Sequence, residues 1–397
     1  MTESQRDDMA ARRAVTTVDA HQHFWTLSNP FTVWPPPDLA SIHRDYGPDD
    51  LAPELALAGV DGTILVQAAP SVEESLYLLD IADRCDFVLG VVGWVDFTAD
   101  DGIAQLDRLA ASPWFKGVRP MLQNIDEPDW ILRDRFAPLF DALLARGLRF
   151  DALIRPKQLS VIAELANRYP ALPIVVDHGG KPSIADGEFT AWAEGIRALA
   201  RMPLVSCKLS GIWTEAGSDI SEPCIRPYVR HLLDCFGAGR LIWGSDWPVV
   251  QLAGSYQAWF SQCQAMLADL APEDQAAVFG GNAMRFYGAA DYAPTSGASL
   301  LLLHPKDNVL ICTNGAKAGE LVQIDGAGYP LTQDIGLGHK VARTALATGD
   351  KIYRYGVPIG TMTAPAQPGE HVHNHNLASD YLPAHGRDAI HAGEKKS

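Results

Sequence analysis

Eight short apolar runs, each followed by a more polar, helix-like stretch, constrain this chain more than any other feature. The runs lie at 17–25, 62–68, 87–95, 116–122, 149–154, 173–178, 204–211 and 240–246. They are near-continuous in Val, Ile and Leu, the pattern of strands covered on both faces. Amphipathic stretches at 71–84, 102–111, 135–146, 158–169, 190–200 and 227–236 read as the covering helices. Such strand–helix alternation over about 270 residues fits a (β/α)8 barrel of the TIM type. A doubly wound open sheet is the competing architecture, but no G-x-G-x-x-G follows the first strand. Residues 271–288 read as a helix closing the barrel, with Gly280-Gly281-Asn282-Ala283 as a turn.

Composition changes after residue 289. Short β-like, glycine-rich runs follow at 299–304, 309–313, 320–324 and 351–357, as in a small all-β domain. The expected organisation is a polar tail (1–14), the barrel (15–290), a linker (291–298), the β domain (299–382) and a second polar tail (383–397).

The net charge of −16 argues against nucleic acid or an anionic membrane as partner, since either needs a basic face. The six cysteines show no CxxC spacing and read as free thiols of a reducing compartment. With no signal-peptide pattern and no apolar run long enough to span a bilayer, the expectation is a soluble cytoplasmic protein.

In a parallel barrel, chemistry sits at the C-terminal ends of the strands. Here those ends carry ionisable groups. His21 and His23 end the first run, spaced i, i+2 and therefore on one face of a strand. They read either as ligands of one ion or as core histidines satisfied by backbone bonds. Arg119 ends the fourth run, Asp177 and His178 the sixth, and Asp246 the eighth, where a loop N-cap is the alternative. Lys208, near the end of the seventh, reads as a substrate contact or as a structural lysine. Trp25 and Trp247 read as sugar-stacking surfaces or as rim packing. The long proline- and aromatic-rich loop 26–49 reads as a lid or substrate wall, with His43, Arg44 and Tyr46 as candidate contacts.

The combination of His21-x-His23 on strand one, His178 on strand six and Asp246 on strand eight resembles the amidohydrolase superfamily. Val66-Gln67-Ala68-Ala69, Lys116-Gly117-Val118-Arg119-Pro120, Val176–Pro182 and Trp243–Pro248 resemble its sugar-lactonase branch, which includes L-fuconolactonases and L-rhamnono-γ-lactonases. The resemblance implies hydrolysis of an aldonolactone to the aldonate. Asp246 would move the proton, and His178 and Arg119 would polarise the carbonyl. Lys208, Trp25, His43, Arg44 and Trp247 would contact substrate. Strand four carries Arg119 where a two-metal member has a carboxylated lysine or a glutamate, and strand five lacks a histidine. The implied cofactor is therefore one divalent ion, zinc first, on His21, His23, His178 and Asp246, with a metal-free site as the alternative. A decarboxylase or lyase of the same superfamily, and a non-catalytic scaffold subunit, are the competing functions. A homo-oligomer is left open.

In the β domain, Gly369-Glu370-His371-Val372-His373-Asn374-His375 places three histidines at i, i+2, i+4. If extended they share one face, a metal-ligand or polyol-binding spacing, or else form a solvated edge strand. With Leu303–Val309, Gly338-His339-Lys340 and Tyr355–Gly360, this region resembles the small SAF-type (β-clip) domain of altronate and galactarate dehydratases. The large dehydratase domain is missing. The resemblance implies docking onto a separate dehydratase large subunit, with His371, His373 and His375 facing the shared site.

Overall fold

The computed structural model describes residues 17–289, 300–312, 316–325, 327–336, 339–354 and 356–379. The expected tails 1–14 and 383–397 and the linker 291–298 lie outside the described residues. The chain divides into two compact units, with the division between Pro294 and Thr295.

The first unit is built on eight parallel strands in sequence order: β1 (Val18–Gln22), β2 (Gly62–Val66), β3 (Val88–Gly93), β4 (Phe115–Val118), β5 (Arg149–Ala152), β6 (Ile174–Val176), β7 (Val205–Leu209) and β8 (Leu241–Trp243). A parallel bridge between Gln22 and Trp247 joins the last strand's loop to the first strand, so the sheet curls into a near-closed barrel. Every strand is shorter than its apolar run, because the last residues of each run leave the ladder and turn over the barrel mouth. Inside, Val18, Ala20, Ile64, Val66, Leu89, Val92, Val175 and Ile242 form one buried cluster, into which Ala283 and Tyr287 pack. The helices cover the outside through a second, larger cluster.

Two readings of helices need correction. Pro227 does not begin the last of the six expected covering helices. That helix runs Glu222–Phe236, with Pro223 in its first turn, where a missing N–H costs nothing. Gly280-Gly281 is not a turn but belongs to a π-helical segment, Ala277–Gly281, between helices Pro272–Ala276 and Asn282–Tyr287. The Asn282 side chain donates to the carbonyls of Ala238 (2.6 Å) and Leu241 (2.7 Å). It thereby anchors the last helix under the strand starts. Helices Pro48–Ala58 and Tyr256–Met266 were not foreseen.

The second unit is all-β. It comprises β9 (Leu300–Leu301), β10 (Val309–Cys312), β11 (Leu321–Ile324), β12 (Ala327–Pro330), β13 (Lys340–Ala342), β14 (Lys351–Arg354), β15 (Val357–Met362), β16 (His371–Val372) and β17 (Leu377–Ser379). They form sheets ordered β16-β13-β10-β9, β11-β12 and β14-β15-β17, around two small apolar clusters. No helix among the described residues is long and apolar enough to cross a membrane.

Candidate active site

The site grows from the way the ends of β1 and β8 are laced together. The Asp246 N–H donates to the His21 carbonyl (2.8 Å) and the His23 N–H to the Trp247 carbonyl (2.8 Å). Asp19 reinforces this, accepting from the Ser245 N–H (2.8 Å). Both histidines are thus fixed opposite the Asp246 carboxylate. His23 Nε2 lies 3.3 Å, His21 Nε2 3.8 Å and His178 Nε2 4.0 Å from Asp246 Oδ1. His178 and Asp246 both adopt left-handed backbone (φ 53° and 59°). Non-glycine residues hold that conformation at a cost, and it recurs where function fixes a side chain.

Hydrogen bonding sets the proton on His23. Its Nδ1 lies 2.8 Å from the Val66 carbonyl, which only accepts, so Nδ1 carries hydrogen. In the neutral ring Nε2 is then a bare lone pair facing a carboxylate oxygen. Two acceptors at 3.3 Å repel unless a proton or a cation lies between them. Burial lowers the pKa of His23 although Asp246 pulls it upward, and burial holds His178 well below its ordinary value. Burial pushes Asp246 up, but His178 and His23 more than offset this and hold it below the usual carboxylate range. The donor set therefore fits a divalent ion. His21, His23 and Asp246 each offer one ligand atom, all within 4.8 Å of one another.

Beneath this layer lies a buried charge network. Lys208 Nζ contacts Asp151 (2.6 Å), Asp177 (3.1 Å) and His21 Nδ1 (3.2 Å). Asp151 also accepts from the Tyr287 hydroxyl (2.6 Å). Arg119 Nη1 lies 3.5 Å from Asp177 and 3.3 Å from His21 Nε2, and Arg119 also donates to Gln67 Oε1 (2.8 Å). His21 is thus flanked by a cation at each ring nitrogen. Burial, Lys208, His23 and Arg119 together keep it neutral. The sequence placed Asp177 with His178 at the end of the sixth run without giving it a role, and it missed Asp151 and Tyr287. The signal for Asp151 is a carboxylate inside a near-continuous apolar run.

Exposure separates the groups. Arg119 (3 %), His23, His178 and Asp246 (4 % each) retain an accessible edge, whereas His21, Lys208, Asp151 and Asp177 have none. Lys208 therefore has no face for substrate, and its expected direct contact gives way to an electrostatic role. Trp25 and Trp247 are both 1 % exposed, each packed edge-to-face on Tyr46. They are rim packing rather than stacking surfaces. Loop 26–49 covers them: Trp34 also lies against Trp25, and the Trp25 indole N–H donates to the Arg44 carbonyl (2.8 Å). Arg44 is exposed, paired with Asp50 (2.8 Å) and stacked on Tyr46. Half-buried His43 contacts the Pro35 carbonyl (2.9 Å).

One glycine leaves room for this arrangement. A Cβ on Gly211 (φ +59°) would lie 2.5 Å from His178 Nδ1 and 3.1 Å from Asp246 Oδ2. It would also disturb the His178–Ser210 hydrogen bond (3.0 Å). Gly211→Ala is expected to reduce catalytic turnover more than tenfold, with far-UV circular dichroism unchanged. Steady-state kinetics on the folded variant is the check.

In the second unit the histidines are not on one extended strand. β16 ends at Val372, and residues 373–376 form a turn locked by buried Asn376. Asn376 accepts from the His373 N–H (2.9 Å) and donates to the His371 carbonyl (2.9 Å). The turn still brings the His375 ring to 5.4 Å from His371, and His339 joins from the chain preceding β13. His339 was quoted in the sequence as part of a motif but not as a site residue.

Residues 18–289 match the family model described as amidohydrolase. This chain belongs to the amidohydrolase family. Residues 298–380 match the model described as the altronate/galactarate dehydratase SAF domain. An L-fucono-1,5-lactonase from Burkholderia ambifaria is 50% identical over 274 residues, which cover 68% of this chain and 94% of that enzyme. A solved amidohydrolase from Burkholderia multivorans, with zinc bound, is 32% identical with a TM-score of 0.65, covering 68% of this chain and 99% of that one. An altronate dehydratase from Escherichia coli is 39% identical over 78 residues, 20% of this chain and only 16% of that enzyme.

Proposed function

We propose that the barrel hydrolyses a sugar-acid lactone, such as an L-fucono- or L-rhamnonolactone, to the aldonate. The observation that carries this reading is the Asp246 carboxylate, ionised and ringed by His21, His23 and His178 within 4.0 Å. Half-identity to an L-fucono-1,5-lactonase along nearly all of that enzyme supports it.

Lactone opening needs an activated water, a stabilised tetrahedral oxyanion and a proton for the leaving ring oxygen. Asp246 takes the proton from water and returns it to the ring oxygen. Arg119, held by Gln67 and Asp177, presents fixed positive charge to the developing oxyanion. His178 is oriented by Ser210 at Nδ1; with no ion bound its Nε2 would donate to the carbonyl oxygen, whereas with an ion bound the same nitrogen would be a ligand. His21, His23, His178 and Asp246 would hold one divalent ion, zinc first, which supplies carbonyl polarisation and a lower pKa for bound water. Arg119 also favours a second reading, a metal-free site, because its guanidinium already places a cation 3.3 Å from His21 Nε2.

A pH-indicator assay over aldonolactones, before and after chelation, separates these outcomes. Loss on chelation with recovery on adding zinc supports the ion. Hydrolysis that survives chelation leaves Arg119 as the electrophile. No hydrolysis of any lactone overturns the reading and favours the lyase or scaffold alternatives. The depressed pKa values set the sign of the pH profile. Asp246 stays ionised, and His23 and His178 stay neutral, below the ordinary histidine value of 6.5. The acid limb of kcat/KM is therefore expected below pH 6.5, and a limb at or above that value would count against these assignments.

For the second unit we propose docking to a dehydratase large subunit that consumes aldonates, supported by the SAF match over residues 298–380. Pull-down of the purified full chain with a purified dehydratase large subunit from the same source tests this, and absence of binding overturns it.

A further inference from the structure

Glu74 is a buried acid beside the end of β2 that the mechanism above does not use. It lies in the first turn of the helix Val72–Asp83 and is 2 % exposed. The Ser71 side chain caps that helix by accepting from the Glu74 N–H (3.2 Å). In an ordinary capping box the Glu74 carboxylate would answer by accepting from the Ser71 N–H. Here the Ser71 N–H is taken by the Ala69 carbonyl (2.9 Å), and the carboxylate reaches farther back. Its Oε2 accepts from the Ala69 N–H (2.8 Å) and the Ala68 N–H (3.1 Å), with Oε1 3.2 Å from the same Ala68 nitrogen. The loop leaving β2 is thereby tied to the helix that follows it.

The Ala68 N–H belongs to the same peptide unit as the Gln67 carbonyl, and the two point in opposite directions from one rigid plane. That carbonyl accepts from Arg119 Nη2. One peptide is therefore gripped on one side by the Glu74 carboxylate and on the other by the Arg119 guanidinium. The Gln67 side chain completes the hold on Arg119. Its Oε1 accepts from Nη2 (2.8 Å), and its Nε2 donates to the Arg119 carbonyl (2.9 Å). Burial pushes the Glu74 carboxyl up to about 7, although the Ala69 and Ala68 N–H groups and Arg119 draw it down. The grip needs an acceptor rather than a charge, because Oε2 alone takes both N–H groups.

We propose that Glu74 is a positioning residue for lactone opening, fixing the Gln67–Ala68 peptide whose carbonyl aims the Arg119 guanidinium at the developing oxyanion. This rests on the lactonase reading and adds to it a residue that does not touch substrate. A misplacement of about 1 Å can cost on the order of 10²-fold in rate. Arg119 acts on charge that develops only in the transition state, so the loss falls on kcat and leaves KM nearly unchanged. Two substitutions separate reach from charge. Glu74→Asp keeps the charge but withdraws the carboxylate by about 1.5 Å, the length of one carbon–carbon bond. Glu74→Gln keeps the reach, with its amide oxygen in the place of Oε2 and its nitrogen in that of the more distant Oε1, and loses the charge.

Steady-state kinetics of the full-length protein on an aldonolactone tests the assignment. Glu74→Asp is expected to lower kcat about 10- to 100-fold with KM within about twofold of wild type, and Glu74→Gln to lower kcat by no more than about threefold. In an Arg119→Met background Glu74→Asp is expected to cost nothing further in kcat, since the guanidinium it misaims is gone. Full kcat in Glu74→Asp, equal losses in the two variants, or an undiminished Glu74→Asp loss in the Arg119→Met background overturns the proposal. Thermal melting adds a readout that needs no substrate. Glu74→Asp/Arg119→Met is expected to melt about 3 °C or more above the value obtained by adding the two separate losses, because each substitution alone already releases the shared peptide. If wild type hydrolyses no lactone, the lactonase reading fails and the melting comparison still decides the link between Glu74 and Arg119. Strictly additive losses overturn it.

Discussion

Asp246→Asn is expected to lower kcat/KM for aldonolactone hydrolysis by about 10³-fold or more, within the range that positioned acid–base groups contribute. Asparagine matches aspartate in shape and tolerates the left-handed backbone that this position requires (φ 59°). The Asp246 N–H bond to the His21 carbonyl is a backbone contact and survives the change. What disappears is the negative charge that faces three histidines and the capacity to take a proton from water. The amide also removes one oxygen anion from the proposed ligand set, so zinc content should fall together with turnover. Near wild-type turnover in a folded Asp246→Asn protein would remove Asp246 from the mechanism. Loss of turnover with zinc content unchanged would assign it to proton transfer alone.

The parts of this site that were legible in the sequence are those at strand ends. His21, His23, His178 and Asp246 terminate apolar runs, where a parallel barrel has few reasons other than chemistry to place ionisable groups. The strand runs themselves were legible because burial on both faces leaves almost no polar residues in them. Their ends were overestimated, since a run stays apolar after it has left the hydrogen-bonded ladder. Trp25 and Trp247 illustrate a different limit. Sequence position put them at the mouth, but whether an indole faces substrate depends on where loop 26–49 folds, and it folds Tyr46 against both. His339 was obscured for a comparable reason: pairing of β13 with β16 brings it to His371, and no local periodicity records that pairing.

The charge network under the site was the least legible part, and it carries the largest expected effect on stability. Lys208→Met is expected to lower the midpoint of thermal unfolding by about 10 °C or more, or to prevent folding. Lys208 is fully buried between Asp151 and Asp177, both also fully buried, at 2.6 and 3.1 Å. Its ammonium stabilises both carboxylates against desolvation. Burial already pushes Asp151 up to about 6, even with that ammonium in place, while Lys208 and Arg119 outweigh burial at Asp177 and hold it down. Methionine fills the volume but leaves the two acids with Tyr287, Arg119 and the neutral His21 ring in place of the ammonium. Breaking a buried ion pair on one side costs about 3–5 kcal/mol. For a unit of this size each kcal/mol is worth about 2–4 °C. The cost resides in the stranded acids, so removing one of them should return part of the stability. Lys208→Met/Asp151→Asn is accordingly expected to melt above Lys208→Met alone, with Tyr287 still able to donate to the new amide oxygen. If the two substitutions instead add their separate losses, measured by calorimetry, the network is not a coupled unit and Lys208 acts by packing.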